Sequence, residues 1–141
     1  MRNCFIVCTT LAVFLLTGKP ASAQTPDANG DGSVKVIEIS AKKYEFTPSE
    51  IHVKKGAKVQ LRVHSTDETH GAKLSLYPEG SKDKSTPGLK FDQPEQNGKV
   101  EKDTDQVLEF VAVREGTYEF KCAKLCGIGH GRMKGKLIVE Q

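Results

Sequence analysis

Residues 34–63 read VKVIEISAKKYEFTPSEIHVKKGAKVQLRV, and this stretch decides the fold class. Apolar and polar residues largely alternate from Val34 to Ile39 and alternate cleanly from Val59 to Val63. Successive side chains of a strand point to opposite faces of a sheet, so this alternation predicts half-buried β-strands. Lys55-Gly56 predicts a turn between two of them.

The rest of the chain continues this pattern. Strand signals return at Val107–Val113, Tyr118–Lys121 and Lys136–Val139, and a glycine-rich loop runs from Gly127 to Gly135. Residues 77–106 are polar and contain several prolines and glycines, which predicts a long surface loop. Short strands with turn signals, and no convincing amphipathic helix, predict an all-β sandwich or barrel.

The first 23 residues differ in kind from the remainder. An almost wholly apolar run from Cys4 to Leu16 is followed by the small residues Ala21-Ser22-Ala23. This order is typical of a cleaved export signal, and the run is short for a membrane-spanning helix. We expect a signal peptide at residues 1–23 (an uncleaved anchor is the minor alternative), a polar leader at 24–32, and one domain at 33–141.

Charge and cysteine content exclude several classes of protein. The chain has 21 basic and 18 acidic residues, and two of the basic ones lie in the predicted signal. The mature protein is therefore nearly neutral without a basic block, so we expect no nucleic-acid partner. It is also predicted to have no stable membrane insertion and a periplasmic or secreted location. Of the four cysteines, only Cys122 and Cys126 remain after cleavage, too few for a disulfide scaffold.

The segment from Cys122 to Met133 carries the chemistry. It reads Cys-Ala-Lys-Leu-Cys-Gly-Ile-Gly-His-Gly-Arg-Met and places two thiols, one imidazole and one thioether within 12 residues. Soft sulfur ligands combined with imidazole favour copper, whereas structural zinc rarely uses methionine. Its glycines allow the backbone to wrap closely around a metal. The sequence therefore predicts a copper site here.

This segment resembles the copper A loop of cytochrome c oxidase subunit II and of nitrous-oxide reductase. In those families a distant histidine completes the site, and Ser65–Gly71 resembles their Ser-x-Asp-x-x-His segment. Tyr44–Gly56 and Arg114–Tyr118 also resemble parts of these domains, so the likeness covers nearly all of residues 34–140. It implies an all-β, antiparallel Greek-key cupredoxin sandwich in which His70 lies near the 122–133 loop.

The resemblance implies a dinuclear copper A centre with two copper ions. Two thiolates would bridge the ions, one imidazole would bind each of them, and a thioether and a backbone carbonyl would act as weak ligands. Cys122 and Cys126 would supply the thiolates, and His70 and His130 the imidazoles. Met133 would supply the thioether and Lys124 the backbone carbonyl.

The implied function is electron transfer by an exported copper protein that is not itself an enzyme. Its partner would be a c-type cytochrome or a terminal oxidase or reductase, to which the protein could be an accessory. The chain has no tryptophan, and Gly71-Ala72-Lys73-Leu74 follows His70, so the resemblance does not extend to the way in which the oxidases dock cytochrome c.

Three alternatives remain open at this point. A mononuclear blue-copper site could use His70, Cys126, His130 and Met133 and leave Cys122 as a bystander. The protein could instead be a periplasmic copper chaperone. Finally, Cys122 and Cys126 could form a disulfide and act in thiol redox chemistry, although that leaves the histidines and the methionine unexplained.

Three further features have simpler interpretations. His52 and His64 occupy outward positions of alternating strands, so we interpret both as surface histidines. The stretch from Asp27 to Glu38 fits the calcium-loop pattern of EF-hands, but the helices that such a loop requires are missing from the pattern around it. We interpret the match as a chance feature of the polar leader and of the strand that follows it.

Overall fold

The computed structural model describes residues 33–93 and 98–141. These residues form nine β-strands and a short 3₁₀ helix, His130–Arg132. In chain order the strands are β1 (Val34–Lys42), β2 (Glu45–Thr47), β3 (Glu50–Lys54), β4 (Lys58–Ser65), β5 (Ala72–Leu74), β6 (Leu89–Phe91), β7 (Asp105–Ala112), β8 (Gly116–Cys122) and β9 (Lys134–Glu140).

The strands form two sheets that pack as a sandwich. One sheet has the order β2-β1-β4-β7-β6 and the other the order β3-β9-β8-β5, so the chain crosses repeatedly between them. The all-β sandwich predicted from the sequence is therefore confirmed. The expectation of a purely antiparallel arrangement is wrong, because β1 pairs with β4 and β3 with β9 in parallel. Alternation along one strand does not specify the direction of the strand beside it.

The core lies between the sheets and follows the alternation of the strands. In β4, Val59, Leu61 and Val63 are buried, while the residues between them are more exposed. Phe46 of one sheet meets Phe120 of the other edge to face, with ring centroids 5.2 Å apart. Such aromatic pairs contribute about 0.5–1.5 kcal/mol beyond the area they bury.

The predicted surface loop at 77–106 is only partly a loop. Leu89 and Val100 are each 1% exposed, and β6 adds an edge strand to the larger sheet by pairing with β7. The apolar residues here are scattered among prolines and glycines, so they produce no alternating run. Pairing with β7, which is distant in sequence, provides the hydrogen bonds that a local pattern cannot reveal.

Gln106 connects the two sheets through its side-chain amide. It lies in β7 with its side chain in the core, 8% exposed. Its Oε1 accepts a hydrogen bond from the Ala72 N–H at 2.9 Å, and its Nε2 donates to the Ala72 carbonyl at 3.2 Å. The amide therefore takes the place of a strand neighbour for the first residue of β5, in the opposite sheet.

The predicted signal at 1–23 and the leader at 24–32 lie outside the described residues, as does most of the Asp27–Glu38 calcium pattern. Glu38 itself lies in β1 and is exposed. No helix within the described part of the chain is long and apolar enough to cross a membrane.

Both predicted surface histidines point outward, as expected, and each has an acidic partner. His52 Nδ1 lies 2.8 Å from Glu140 Oε1, and its Nε2 lies 3.1 Å from Glu50 Oε1. His64 Nδ1 lies 2.6 Å from Asp105 Oδ1. Neither histidine is part of the metal-ligand cluster described below.

We predict that Gln106→Ala destabilises the fold by about 1–3 kcal/mol, because the buried N–H and carbonyl of Ala72 lose their partners. Chemical denaturation measures the loss. Gln60→Ala is the control, since Gln60 bonds Glu109 on a partly exposed surface and should change stability by no more than about 0.5 kcal/mol. Equal losses in the two variants would contradict the role assigned to Gln106.

We predict that the pKa of His52 lies above its ordinary value of 6.5. The hydrogen bond to Glu140 is the main cause, and the hydrogen bond to Glu50 adds to it. Protonated His52 therefore stabilises the fold. This contribution is fully present below pH 6.5 and is lost as the pH rises through the pKa of His52 in the folded protein. NMR titration of the ring measures the midpoint, and Glu140→Gln should lower it. A midpoint at or below 6.5 in the unaltered protein would disprove the assignment.

Candidate metal centre

Two loops meet at one end of the sandwich. One follows β4 and carries His70. The other begins directly after Cys122, the last residue of β8, carries Cys126 and leads to β9. β5 pairs with β8 so that Ala72 lies opposite Cys122. The Ala123 N–H donates to the Gly71 carbonyl at 3.0 Å, which extends this pairing into the loops themselves. The sheet register therefore brings together ligand candidates that are far apart in the sequence.

The backbone of His70 is fixed on its other side as well. Its N–H donates to the Val100 carbonyl at 2.9 Å, and the Val100 N–H donates back at 3.3 Å. The next residue, Gly71, packs so closely against Gly98 that a Cβ at Gly71 would overlap the Gly98 carbonyl oxygen. Glycine is therefore required directly after the histidine.

The two cysteines and His70 form a compact, buried group. The sulfur atoms lie 3.7 Å apart, and His70 Nδ1 lies 3.8 Å from Cys122 Sγ. The three potential ligand atoms lie within 4.8 Å of one another. A metal–thiolate bond is about 2.3 Å long, so one ion can contact both sulfurs at this separation. The predicted proximity of His70 to the cysteine loop is confirmed.

The three other predicted ligands surround this group. His130 Nδ1 lies 3.8 Å from Cys126 Sγ, and Met133 Sδ lies 3.9 Å from the same sulfur. The Cys122 thiol donates to the Lys124 carbonyl at 3.0 Å, so this carbonyl points into the site. The structure thus brings all six predicted site residues together.

Asp67 is a component of the site to which the sequence analysis assigned no role. Its Oδ1 lies 2.7 Å from His70 Nε2, which leaves His70 Nδ1 facing the sulfurs. Carboxylates that bond the outer nitrogen of a histidine fix the orientation of the ring and increase its basicity. Burial disfavours the charged carboxylate, but hydrogen bonds from the Lys43 N–H and from His70 outweigh burial and lower the pKa of Asp67. The Ser-x-Asp-x-x-His spacing could have indicated this pair.

The chemistry of the site fits a bound cation. Burial, together with the neighbouring Cys122, raises the pKa of the Cys126 thiol to about 11, so a metal that binds it must displace a proton.

Glu68 Oε1 is buried and accepts no hydrogen bond within residues 33–93 and 98–141, while its other oxygen lies 2.7 Å from Lys43 Nζ. Positive charge in the site would stabilise both the thiolate and this carboxylate. Two thiols, two imidazoles and a thioether are the donor types that copper prefers.

Tyr44 supports the cysteine loop from outside. Its ring packs on the backbone of Gly129, where a Cβ would overlap the ring. Gly127 also lies against the Tyr44 hydroxyl and has a φ of +117°, which favours glycine. These glycines therefore allow the cysteine loop to pack closely against the ring of Tyr44, which lies between β1 and β2 at the edge of the five-stranded sheet.

The comparison with protein families agrees with this arrangement. Residues 7–139 match the family model of the cupredoxin-like domain. The chain belongs to this family. Its two-sheet architecture, with potential metal ligands at one end, is thus that of a cupredoxin-like domain.

The individual matches include chains of oxidases and a blue copper protein. The cupredoxin-like chain is 25% identical over 125 residues to cytochrome c oxidase subunit 2 of Thermostichus vulcanus, with 82% of this chain and 33% of that protein covered. It also resembles a chain of a heme-copper terminal oxidase dimer, with a TM-score of 0.55, 25% identity, and coverage of 75% of this chain and 65% of that one. The domain therefore spans about a third of the first relative and less than two thirds of the second.

The fold is also that of a "blue" copper protein. Auracyanin A of Chloroflexus aurantiacus matches with a TM-score of 0.57 and 21% identity, over 77% of this chain and all of that chain. At this identity the match establishes the shared fold alone.

We predict that Asp67→Asn weakens copper binding about 10–100-fold, because His70 loses the carboxylate that orients it. Competition between the protein and a chelator measures the affinity. Asp105→Asn is the matched control, since Asp105 bonds the exposed His64 instead. Unchanged affinity in Asp67→Asn, or equal weakening in both variants, would refute the positioning role of Asp67.

Proposed function

We propose that this cupredoxin-like domain binds two copper ions in a dinuclear copper A centre and transfers electrons. The observation that carries the proposal is the arrangement around the paired sulfurs. Each sulfur has a different imidazole at 3.8 Å, His70 beside Cys122 and His130 beside Cys126. Two ions that share both thiolates could each take one of these histidines.

The position of His130 favours two ions over one. His70, Cys122 and Cys126 form the compact group whose ligand atoms lie within 4.8 Å of one another, and His130 does not belong to that group. An ion that contacts His70 and both sulfurs at once is therefore less well placed to take His130 as well, whereas a second ion on the Cys126 side could do so. The Lys124 carbonyl beside Cys122 and Met133 beside Cys126 provide a further weak donor on each side.

A bound copper pair would supply one-electron exchange. The protein's part is to hold the ligands so that they move little between oxidation states. Cys122 is 4% exposed, Cys126 is 7% exposed, and Met133 and His70 are fully buried, so the surrounding core fixes their side chains and excludes water. The hydrogen bond from His70 to Asp67 fixes the imidazole ring. A site constrained in this way favours electron transfer over substrate chemistry.

The cellular location and the partner are inferred from the sequence of residues 1–23 and from the similarity to oxidase chains. We infer an exported electron carrier, periplasmic or secreted, that is not an enzyme by itself. Its electron partner would be a c-type cytochrome or a terminal oxidase or reductase. The similarity to an oxidase subunit 2 and to a heme-copper oxidase chain supports a role beside such an enzyme.

A mononuclear blue-copper site is the second candidate, and one observation favours it. Cys126 has both His130 and Met133 within 3.9 Å and His70 in the same compact group, which together make a four-ligand set without Cys122. A copper chaperone is supported less well, because the buried cysteines are poorly placed to transfer an ion to another protein.

Replacement of each cysteine distinguishes one ion from two. In a dinuclear centre Cys122→Ser should abolish the mixed-valence spectrum as completely as Cys126→Ser, because both thiolates bridge. In a blue site Cys122→Ser should be nearly silent. Copper content per chain and EPR of the loaded protein provide the measurement.

Met133→Leu is the control for packing. Leucine retains roughly the volume of this fully buried side chain, so the fold should lose less than about 1.5 kcal/mol. The coppers should stay bound with an altered reduction potential, since a thioether is a weak ligand. Two coppers per chain that survive Cys122→Ser unchanged would overturn the dinuclear assignment.

A further inference from the structure

Three lysines form a row on the outer face of the four-stranded sheet, next to the metal centre. Lys73 of β5 lies directly opposite Lys121 of β8, which in turn lies opposite Lys134 of β9. All three side chains are exposed. Ala72 and Cys122, their neighbours in the chain, form the adjacent inward-facing pair. We call these three residues the lysine row.

Such a row is unfavourable for the fold. Like charges directly opposite each other on a sheet destabilise it, and here two such pairs share a central residue. In the part of the chain that the structure describes, Lys73 and Lys121 have no ion pair, and Lys134 Nζ lies a loose 3.9 Å from Glu119. The next pair along the same face, Glu119 opposite Lys136, has opposite charges. The repulsion is therefore confined to the row closest to the site.

The loop beside this row is basic as well. Residues 121–136 contain five lysines and arginines, two of which belong to the lysine row, and no acidic residue, in a chain whose formal net charge is only +3. Lys124 and Arg132 belong to this loop and are exposed. Positive charge is thus concentrated along the cysteine loop, while the carboxylates at the centre, Asp67 and Glu68, are paired with His70 and Lys43.

An apolar tip projects from the same loop. Leu125 is 76% exposed and Ile128 is fully exposed, and the two flank Cys126 in the chain. His130, two residues after Ile128, is half-buried, whereas His70 is fully buried. A protein that covers this tip therefore approaches the centre from the side of Cys126 and His130.

We propose that the apolar tip and the lysine row form the docking surface for a redox protein whose contact face is acidic. This inference rests on the proposed electron-transfer function and names the chemistry of the partner. Complementary charge accelerates the encounter and orients the partner, while the two apolar side chains provide the desolvated contact. A partner with a basic contact face would meet like charge here, and its association is disfavoured.

The test compares one c-type cytochrome in two charge states. The first state is the native basic protein, and the second is the same cytochrome after succinylation of its lysines, which makes them acidic. Stopped-flow spectroscopy measures electron exchange with the copper-loaded protein at several ionic strengths. At low salt we expect exchange to be about tenfold faster with the succinylated form or more, and to slow as salt is added.

Two sets of variants locate the surface. The combined change Lys73→Gln, Lys121→Gln and Lys134→Gln should remove most of the advantage of the succinylated cytochrome while leaving copper content and absorption unchanged. The matched control is Lys54→Gln, Lys55→Gln and Lys90→Gln, which removes the same charge from the opposite end of the sandwich and should have little effect.

The second set tests the apolar tip. Leu125→Ser with Ile128→Ser should slow exchange, whereas Val107→Ser should not, because Val107 is exposed on the other sheet.

Each outcome has a distinct meaning. Equal rates with both cytochromes, or equal losses in both lysine sets, would overturn the docking surface and leave the electron carrier standing. Absence of exchange with either cytochrome by a copper-loaded protein would overturn the electron-transfer function and the docking surface with it.

A separate binding experiment with vesicles of phosphatidylglycerol and phosphatidylcholine tests an anionic membrane as the partner. Binding to them that exceeds binding to the succinylated cytochrome, and that is lost with the lysine row, would replace the protein partner by an anionic lipid surface.

Discussion

The backbone hydrogen bond from Ala123 to the carbonyl of Gly71 is the link on which the candidate site depends. It continues the pairing of Ala72 with Cys122 beyond the ends of β5 and β8, and so joins the histidine loop to the cysteine loop. Gln106 and Val100 hold the histidine loop from the side of the larger sheet. The geometry of the sulfur and nitrogen atoms is therefore set by sheet register, before any metal binds.

That arrangement accounts for the unusual composition of one end of the core. Elsewhere the interior is filled by aliphatic and aromatic side chains, but here two thiols, a thioether and an imidazole take their place. In such surroundings a protonated thiol is favoured over a thiolate, and a carboxylate oxygen of Glu68 lacks a donor among the described residues. Both features are costly in a metal-free protein and become favourable beside a cation. The burial that fixes the ligands thus also makes the site depend on its ion.

Much of this could be predicted from the sequence. Clean alternation predicts strands such as β4 to within a residue or two. The residue types from Cys122 to Met133 predict a copper site, and the family resemblance adds His70 and Lys124 to the candidates. Apart from the approach of His70 to the cysteine loop, which the family resemblance implies, interactions between distant segments could not be predicted. β6 and the Val100 bridge lie in a stretch without periodicity, and the parallel partners of β1 and β3 leave no trace in those strands themselves. The roles of Asp67 and Gln106 depend on where a side chain points in three dimensions, which composition does not record.

The position of β9 has a consequence for the order in which the protein folds. β9 is an inner strand that separates β3 from β8, so Ile51 pairs with Leu137 from near the end of the chain. The four-stranded sheet cannot close until β9 is available, because β9 joins β3 to β8, and β3 and β9 are distant in the sequence. High contact order of this kind slows folding. During synthesis the cysteine loop therefore emerges before β9, and the sheet that supports the metal centre is completed only once β9 is available.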